Sequence, residues 1–164
     1  MKIKNQKVNS IYAFIFKNEL KDSDFWSIGR GSNEIQNILN TFAEEDWDEL
    51  KNGVPKWESE NISIVIESVA FGFDGMFTPS LDKKSVLNAA NFLLDMFISQ
   101  EDLDYRNEIS YFSFFINQSN SKQIEKLKLI ESWMMKNGYE EEVWIKSNVD
   151  PIGNIRKAIK KASQ

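Results

Sequence analysis

Apolar residues recur at helical spacing through the second half of the chain, and this pattern most constrains how the chain can fold. Between Ser80 and Gln100, apolar side chains cover most of a helical circumference, while polar ones occupy one narrow face: Lys84, Asn88, Asn91 and Asp95. A helix that is apolar over so much of its surface needs neighbours on at least two sides. The helical spacing continues in three further segments: Asp102 to Asn117, Ser121 to Gly138, and Asp150 to Ala162. We predict four consecutive helices with short connections.

The first half of the chain has a less uniform pattern. Ser32 to Ala43 and Glu45 to Lys51 have helical spacing, whereas Ile11 to Phe16 and Asn61 to Phe71 are rich in β-branched and aromatic residues. We interpret the last of these as a helix, since it runs for about eleven residues without a turn signal. A small two-stranded element near the N-terminus stays an alternative. With only 7 Gly, 3 Pro and no low-complexity linker, we predict an all-α fold with one helical domain over residues 1–164.

A weak internal echo bears on the arrangement of these helices. An acidic run and a Trp at residues 44–47 precede Pro55, and the same features at residues 140–144 precede Pro151. The interval of about 97 positions could hold two HEAT-like antiparallel helix pairs. Plain helical packing without repeats explains the same pattern, so both arrangements stay open.

The composition excludes much catalytic chemistry, because the chain contains neither Cys nor His. It cannot form a disulfide, a Cys- or His-based zinc site, a thiol nucleophile or a Ser-His-Asp triad. Glu45 and Glu49 would share one helical face and could hold Mg²⁺ in a carboxylate-dependent hydrolase. The alternative is a solvated acidic helix start, and no accompanying motif indicates a substrate pocket. We expect a protein that is not an enzyme, with no catalytic residues, no cofactor and no bound metal.

The distribution of charge indicates the kind of partner. The net charge is -5, with residues 31–75 summing to -8 and residues 119–164 to +3. An acidic surface disfavours nucleic-acid backbones and speeds association with basic proteins. The alternative is a solvated acidic face that keeps the protein soluble. No segment has the roughly 20 apolar residues of a membrane span, and the N-terminal apolar run does not fit a signal peptide. We therefore expect a cytoplasmic protein that binds a protein partner, with no direct nucleic-acid or membrane contact.

Two segments combine carboxylates with aromatic side chains, which are enriched at the centres of protein interfaces. One surrounds Trp47, and the other is the Gly-containing stretch from Phe71 to Phe77. In both segments the aromatic residues could instead belong to the core. The predicted partner-binding residues are Glu44, Glu45, Asp46, Trp47, Asp48, Glu49, Asp74 and Phe77.

The sequence Trp47-Asp48-Glu49-Leu50 ahead of Pro55-Lys56-Trp57, in a small, acidic, Cys-free helical chain, resembles immunity proteins of bacterial polymorphic toxin and contact-dependent growth inhibition systems. The resemblance implies a cytoplasmic, non-enzymatic protein that binds one cognate toxin domain, often a nuclease, and blocks its active site or substrate groove. It carries over no individual residue roles. A helical adaptor or regulator with another partner is the alternative within the same class.

Overall fold

Helices form most of the chain in the computed structural model, which describes residues 3–27, 30–73, 81–111 and 121–164. Within these ranges there is no β-strand, so the predicted all-α fold is confirmed. A 3-10 turn at Val54–Lys56 follows the fourth helix, and another at Ser121–Gln123 precedes the eighth. The α-helices are α1 (Gln6–Lys17), α2 (Ser23–Ser27), α3 (Arg30–Leu39), α4 (Glu44–Gly53), α5 (Ser59–Phe71), α6 (Val86–Ser99), α7 (Leu103–Tyr111), α8 (Ile124–Lys136), α9 (Glu142–Ile145) and α10 (Pro151–Ala162).

The two ambiguous segments are both helical. Residues 11–16 lie in α1, so the alternative of an N-terminal two-stranded element is wrong for them, and residues 61–71 lie in α5 as predicted. The Asn5 side chain starts α1 by accepting hydrogen bonds from the backbone N–H groups of Lys7 and Val8, each 3.0 Å long. The apolar side chains of α1 then line one buried face at spacings of three and four: Val8, Ile11 and Ile15.

The start and stop signals of the later helices are mostly confirmed. The Asp150 carboxylate caps α10 by accepting from the Gly153 N–H at 3.1 Å, and Pro151 occupies the first turn. Gly138 follows α8 with φ 84°, the left-handed conformation typical of C′. The third predicted helix is shorter than expected at its N-terminal end, because α8 begins at Ile124. The first of these predicted helices also begins later than expected, because residues 81–85 are not helical and α6 starts at Val86. Ser80 itself and the residues from 112 to 117 lie outside the described part of the chain.

The longer helices pack in two rows. One row runs α4, α6, α8 and α10, each packing on the next, and the other runs α3, α5 and α7. The rows meet where α6 contacts α5 and α7, and α1 packs on α3, α4 and α5. Helix α6 is therefore central, as its nearly complete apolar circumference predicted. In stacked helical pairs each helix likewise packs on the helix two positions further along the chain. Both arrangements considered from the sequence, HEAT-like pairs and plain helical packing, stay open.

The two copies of the acidic run and Trp lie in unlike surroundings. Trp47 is buried on the ten-residue α4. Trp144 lies half-buried on the four-residue α9 and stacks on Tyr139 with ring centroids 4.9 Å apart. The echo in the sequence therefore does not correspond to one helix repeated in the same position.

Candidate protein-binding site

The acidic segment of α4 lies partly on the surface and partly towards the interior of the protein. Glu44, Glu45, Asp48 and Glu49 are exposed, and we call these four residues the α4 acidic surface. A helix places residues three and four apart on one face. Asp46 and Trp47 therefore turn towards the core together with Leu50. Carboxylates in the first turn also stabilise the positive end of the helix dipole. The predicted site thus separates into an exposed charged part and an inward-facing part.

Asp46 belongs to the inward-facing part and connects α4 to α1. Its carboxylate accepts hydrogen bonds from the Asn5 amide at 2.8 Å, the Lys7 ammonium at 2.7 Å and the Ala43 backbone N–H at 2.8 Å. The hydrogen bond from Asn5, followed by that from Lys7, lowers the pKa of Asp46 to about 2. With its side chain only 13% exposed, Asp46 is occupied within the chain, and its predicted contact with a partner stays a prediction.

Asp46→Asn should lower the free energy of unfolding at pH 7 by about 1–2 kcal/mol, allowing for solvent screening. Because the folded pKa lies below the unfolded one, this stabilisation is present above the ordinary carboxyl pKa and is lost as the pH falls towards 2. Urea unfolding at pH 7 and at pH 2.5 measures the difference. The exposed neighbour Asp48→Asn is the control. Equal effects of the two substitutions would contradict the role assigned to Asp46.

Trp47, the aromatic centre of the predicted site, lies in the core. It is 6% exposed, and its indole contacts the ring of Phe42 edge-on at 5.3 Å and the ring of Phe92 at 6.3 Å between centroids. Of the two interpretations that the sequence left open, this burial favours the core. The indole still lines the floor of a groove, so Trp47 supports the surface above it.

That groove lies between α4, α6 and α8 and has a volume of about 270 Å³. The narrow polar face of α6 contributes Asn88, Asn91 and Asp95 to it. The Asp95 carboxylate forms ion pairs with Lys126 and, at 3.8 Å, with Lys51. The amide oxygen of Asn91 is buried, with no hydrogen-bond partner among the described residues. The sequence pattern identified this polar face of α6 but did not indicate that it lines a groove beside the α4 acidic surface.

A second groove, of about 700 Å³, runs along α5 and α7. Its charged residues come from separate parts of the sequence, and sequence analysis did not bring them together. Five of them are acidic and one is basic: Glu19, Glu60, Glu67, Asp102, Asp104 and Lys21. The hydroxyl of Tyr105 donates a hydrogen bond to the Ser59 carbonyl at 3.2 Å across the two helices. We call this concavity the α5/α7 groove.

Two of the predicted binding residues, Asp74 and Phe77, lie at positions 74–80, outside the described residues. Their place relative to the α4 acidic surface therefore stays a prediction. Among the residues that the structure describes, no cluster of three or more acidic side chains could hold a metal ion. Glu45 and Glu49, the pair considered for Mg²⁺, are both exposed on α4.

Comparison with known proteins identifies no relative: no protein-family model, no curated protein and no solved structure matches this chain. Within the described ranges, no helix is both long and apolar enough to cross a membrane. A function must therefore be argued from the surface chemistry of the helices themselves.

Proposed function

We propose that this protein is a non-enzymatic immunity protein that neutralises a basic bacterial toxin domain by binding it through the α4 acidic surface. The observation that carries the proposal is the unpaired charge of three of the four carboxylates of this surface, since the fourth, Asp48, pairs with Lys51 at 3.2 Å. Glu44, Glu45 and Glu49 are exposed and form no ion pair with a Lys or Arg in the described part of the chain. Carboxylates that the chain leaves unpaired remain available to an incoming cationic partner.

The electrostatics of the molecule support a partner of this kind. A nuclease domain binds a phosphate backbone through Lys and Arg side chains, so its substrate groove is basic. An acidic protein surface is complementary to such a groove and attracts it over a distance of about one Debye length, ~8–10 Å. Beside the α4 acidic surface, the polar groove between α4, α6 and α8 offers amide and charged groups for shorter contacts.

The α4 acidic surface is tested by reversing its unpaired charges. If the neighbouring gene encodes a basic toxin domain, that domain is the partner for the test, and E44K/E45K/E49K should slow its association at low salt by about tenfold or more. The salt dependence of the association rate should also become flatter, because steering is screened by ions. Stopped-flow or surface-plasmon kinetics at two ionic strengths measure both effects.

The matched control reverses three exposed carboxylates outside α4 that form no ion pair in the described part of the chain: Glu19, Glu34 and Glu101. It changes the net charge by the same amount. Equal slowing in the two triple variants would mean that overall charge, rather than the α4 acidic surface, drives association. Unchanged association in E44K/E45K/E49K would exclude this surface as the interface.

The alternative function, a helical adaptor or regulator, uses the same type of surface with a different partner. Protection of cells distinguishes the two functions. The immunity proposal expects co-expression of this chain to rescue growth in the presence of the toxin domain, and E44K/E45K/E49K to rescue it less.

The carboxylate-hydrolase alternative has no specific support. Glu45 and Glu49 lie exposed on one helix, and in the described ranges they belong to no group of three acidic side chains that could hold a metal ion.

A further inference from the structure

Two carboxyl groups meet across the interface of α5 and α7. Glu67 on α5 and Glu108 on α7 lie side by side where the two helices pack, close enough for each carboxyl group to shift the pKa of the other, and Ser63 of α5 neighbours Glu108. An ionised carboxylate can only accept hydrogen bonds, so a hydrogen bond between two carboxyl groups requires a proton on one of them. The contact is therefore favourable only while the pair holds a proton.

The interior position of the pair makes full ionisation unfavourable. Both side chains are half-buried, and the Oε1 atom of Glu108 is fully buried with no hydrogen-bond partner among the described residues. Burial, and after it the neighbouring charge of Glu67, raises the pKa of Glu108 to about 8. Burial also raises the pKa of Glu67. Removing the shared proton would leave two negative charges in contact away from water.

In the described part of the chain, no Lys or Arg is among the groups that shift the pKa of either carboxyl. In the α5/α7 groove beside the pair, Glu60 from α5 and Asp102 and Asp104 at the start of α7 are acidic. Lys21, ahead of α2, lies over the ring of Phe25 with its ammonium 5.8 Å from the centroid.

Polar and charged side chains of the helices packed around α5 and α7 form their contacts elsewhere. Arg106 of α7 donates its Nε–H to the Phe97 carbonyl of α6 at 3.0 Å. Asp95, the acidic residue of α6, faces the other groove. From α3, the Gln36 amide donates to the Ser68 carbonyl of α5 at 2.7 Å.

We propose that the proton shared by Glu67 and Glu108 is a pH-sensitive latch that holds α7 against α5, and that its loss releases α7. The contribution to stability is fully present below the ordinary carboxyl pKa, falls as the pH rises above that value, and is lost once the pH has passed through about 8. This proposal is independent of the partner. The titration of the pair can be measured without overlap, because a chain without His or Cys has no other side chain that ordinarily titrates between pH 6 and 9.

Hydrogen exchange of the full-length protein tests the latch. The opening equilibrium of the α7 amides, after correction for the intrinsic exchange rate, should rise at least tenfold between pH 6 and pH 9 in the wild type. In Glu108→Gln the amide donates to Glu67 without a titrating proton, and the rise should shrink to less than about threefold. Glu60→Gln, which removes a carboxylate from the same groove but not from the pair, should behave as the wild type.

Two results would overturn the proposal. One is an α7 opening equilibrium in the wild type that does not change between pH 6 and pH 9. The other is a pH dependence that Glu108→Gln and Glu60→Gln both retain in full. Should Glu108→Gln fail to fold, Glu67→Gln replaces it with the same expected outcomes. Carbon-13 NMR of the Glu carboxyl carbons in the wild type provides an independent measurement, and the absence of a carboxyl titration near pH 8 would also contradict the latch.

Discussion

Trp47→Ala should lower the free energy of unfolding by about 3–5 kcal/mol, the cost usual for removing a large buried aromatic side chain. The indole is 6% exposed and packs between the rings of Phe42 and Phe92. Its loss would open a cavity between α4 and α6, two neighbouring helices of the same row. Urea unfolding followed by circular dichroism measures the change. Binding of a basic partner should weaken only in proportion to the loss of folded protein.

Trp47→Phe is the matched control for this prediction. The smaller ring keeps part of the contact with Phe42 and Phe92, so its cost should be less than half that of alanine. The sequence also allowed Trp47 to be an anchor that inserts into the partner. That interpretation would be correct if Trp47→Ala unfolded like the wild type but dissociated from the partner much faster.

Leu93→Ala should lower the free energy of unfolding by about 2–5 kcal/mol. Leu93 is 0% exposed on α6, the helix that contacts α4, α5, α7 and α8, so its neighbours have little freedom to close the cavity. The same experiment with Leu87→Ala provides the control, because Leu87 is on the same helix but 42% exposed. Similar losses for the two leucines would contradict the central position of α6.

Helix identity could be predicted well where the signals are local. Asp150 and Pro151 mark the start of α10, and Gly138 follows α8 in the predicted conformation. Local signals left residues 11–16 ambiguous, because their β-branched and aromatic side chains also suggest a strand. The cap at Asn5 and the burial of one face of α1 outweigh that preference, because tertiary packing supplies more energy than intrinsic propensity.

The candidate site could be predicted only in part. Its acidic residues form one block in the sequence, and composition alone assigns them all to one surface. The helical turn separates them, with Trp47 and Leu50 in the core three residues apart and Glu44 and Asp48 outside. This spacing was a usable signal for the burial of Trp47. No sequence signal indicated the hydrogen bond from Asn5 to Asp46, since the two residues are 41 positions apart.

The sequence by itself determined the helical class, the apolar circumference of α6, the exclusion of Cys and His chemistry, and the uneven charge, because these depend on residue type and short-range spacing. The tertiary structure alone decided which charges meet. Asp46 lies beside Lys7, Asp95 lies between Lys51 and Lys126, and the carboxyl groups of Glu67 and Glu108 face each other. The physical reason is that these pairs lie on different helices, and the packing of apolar faces, to which the charges contribute little, sets the distances between them.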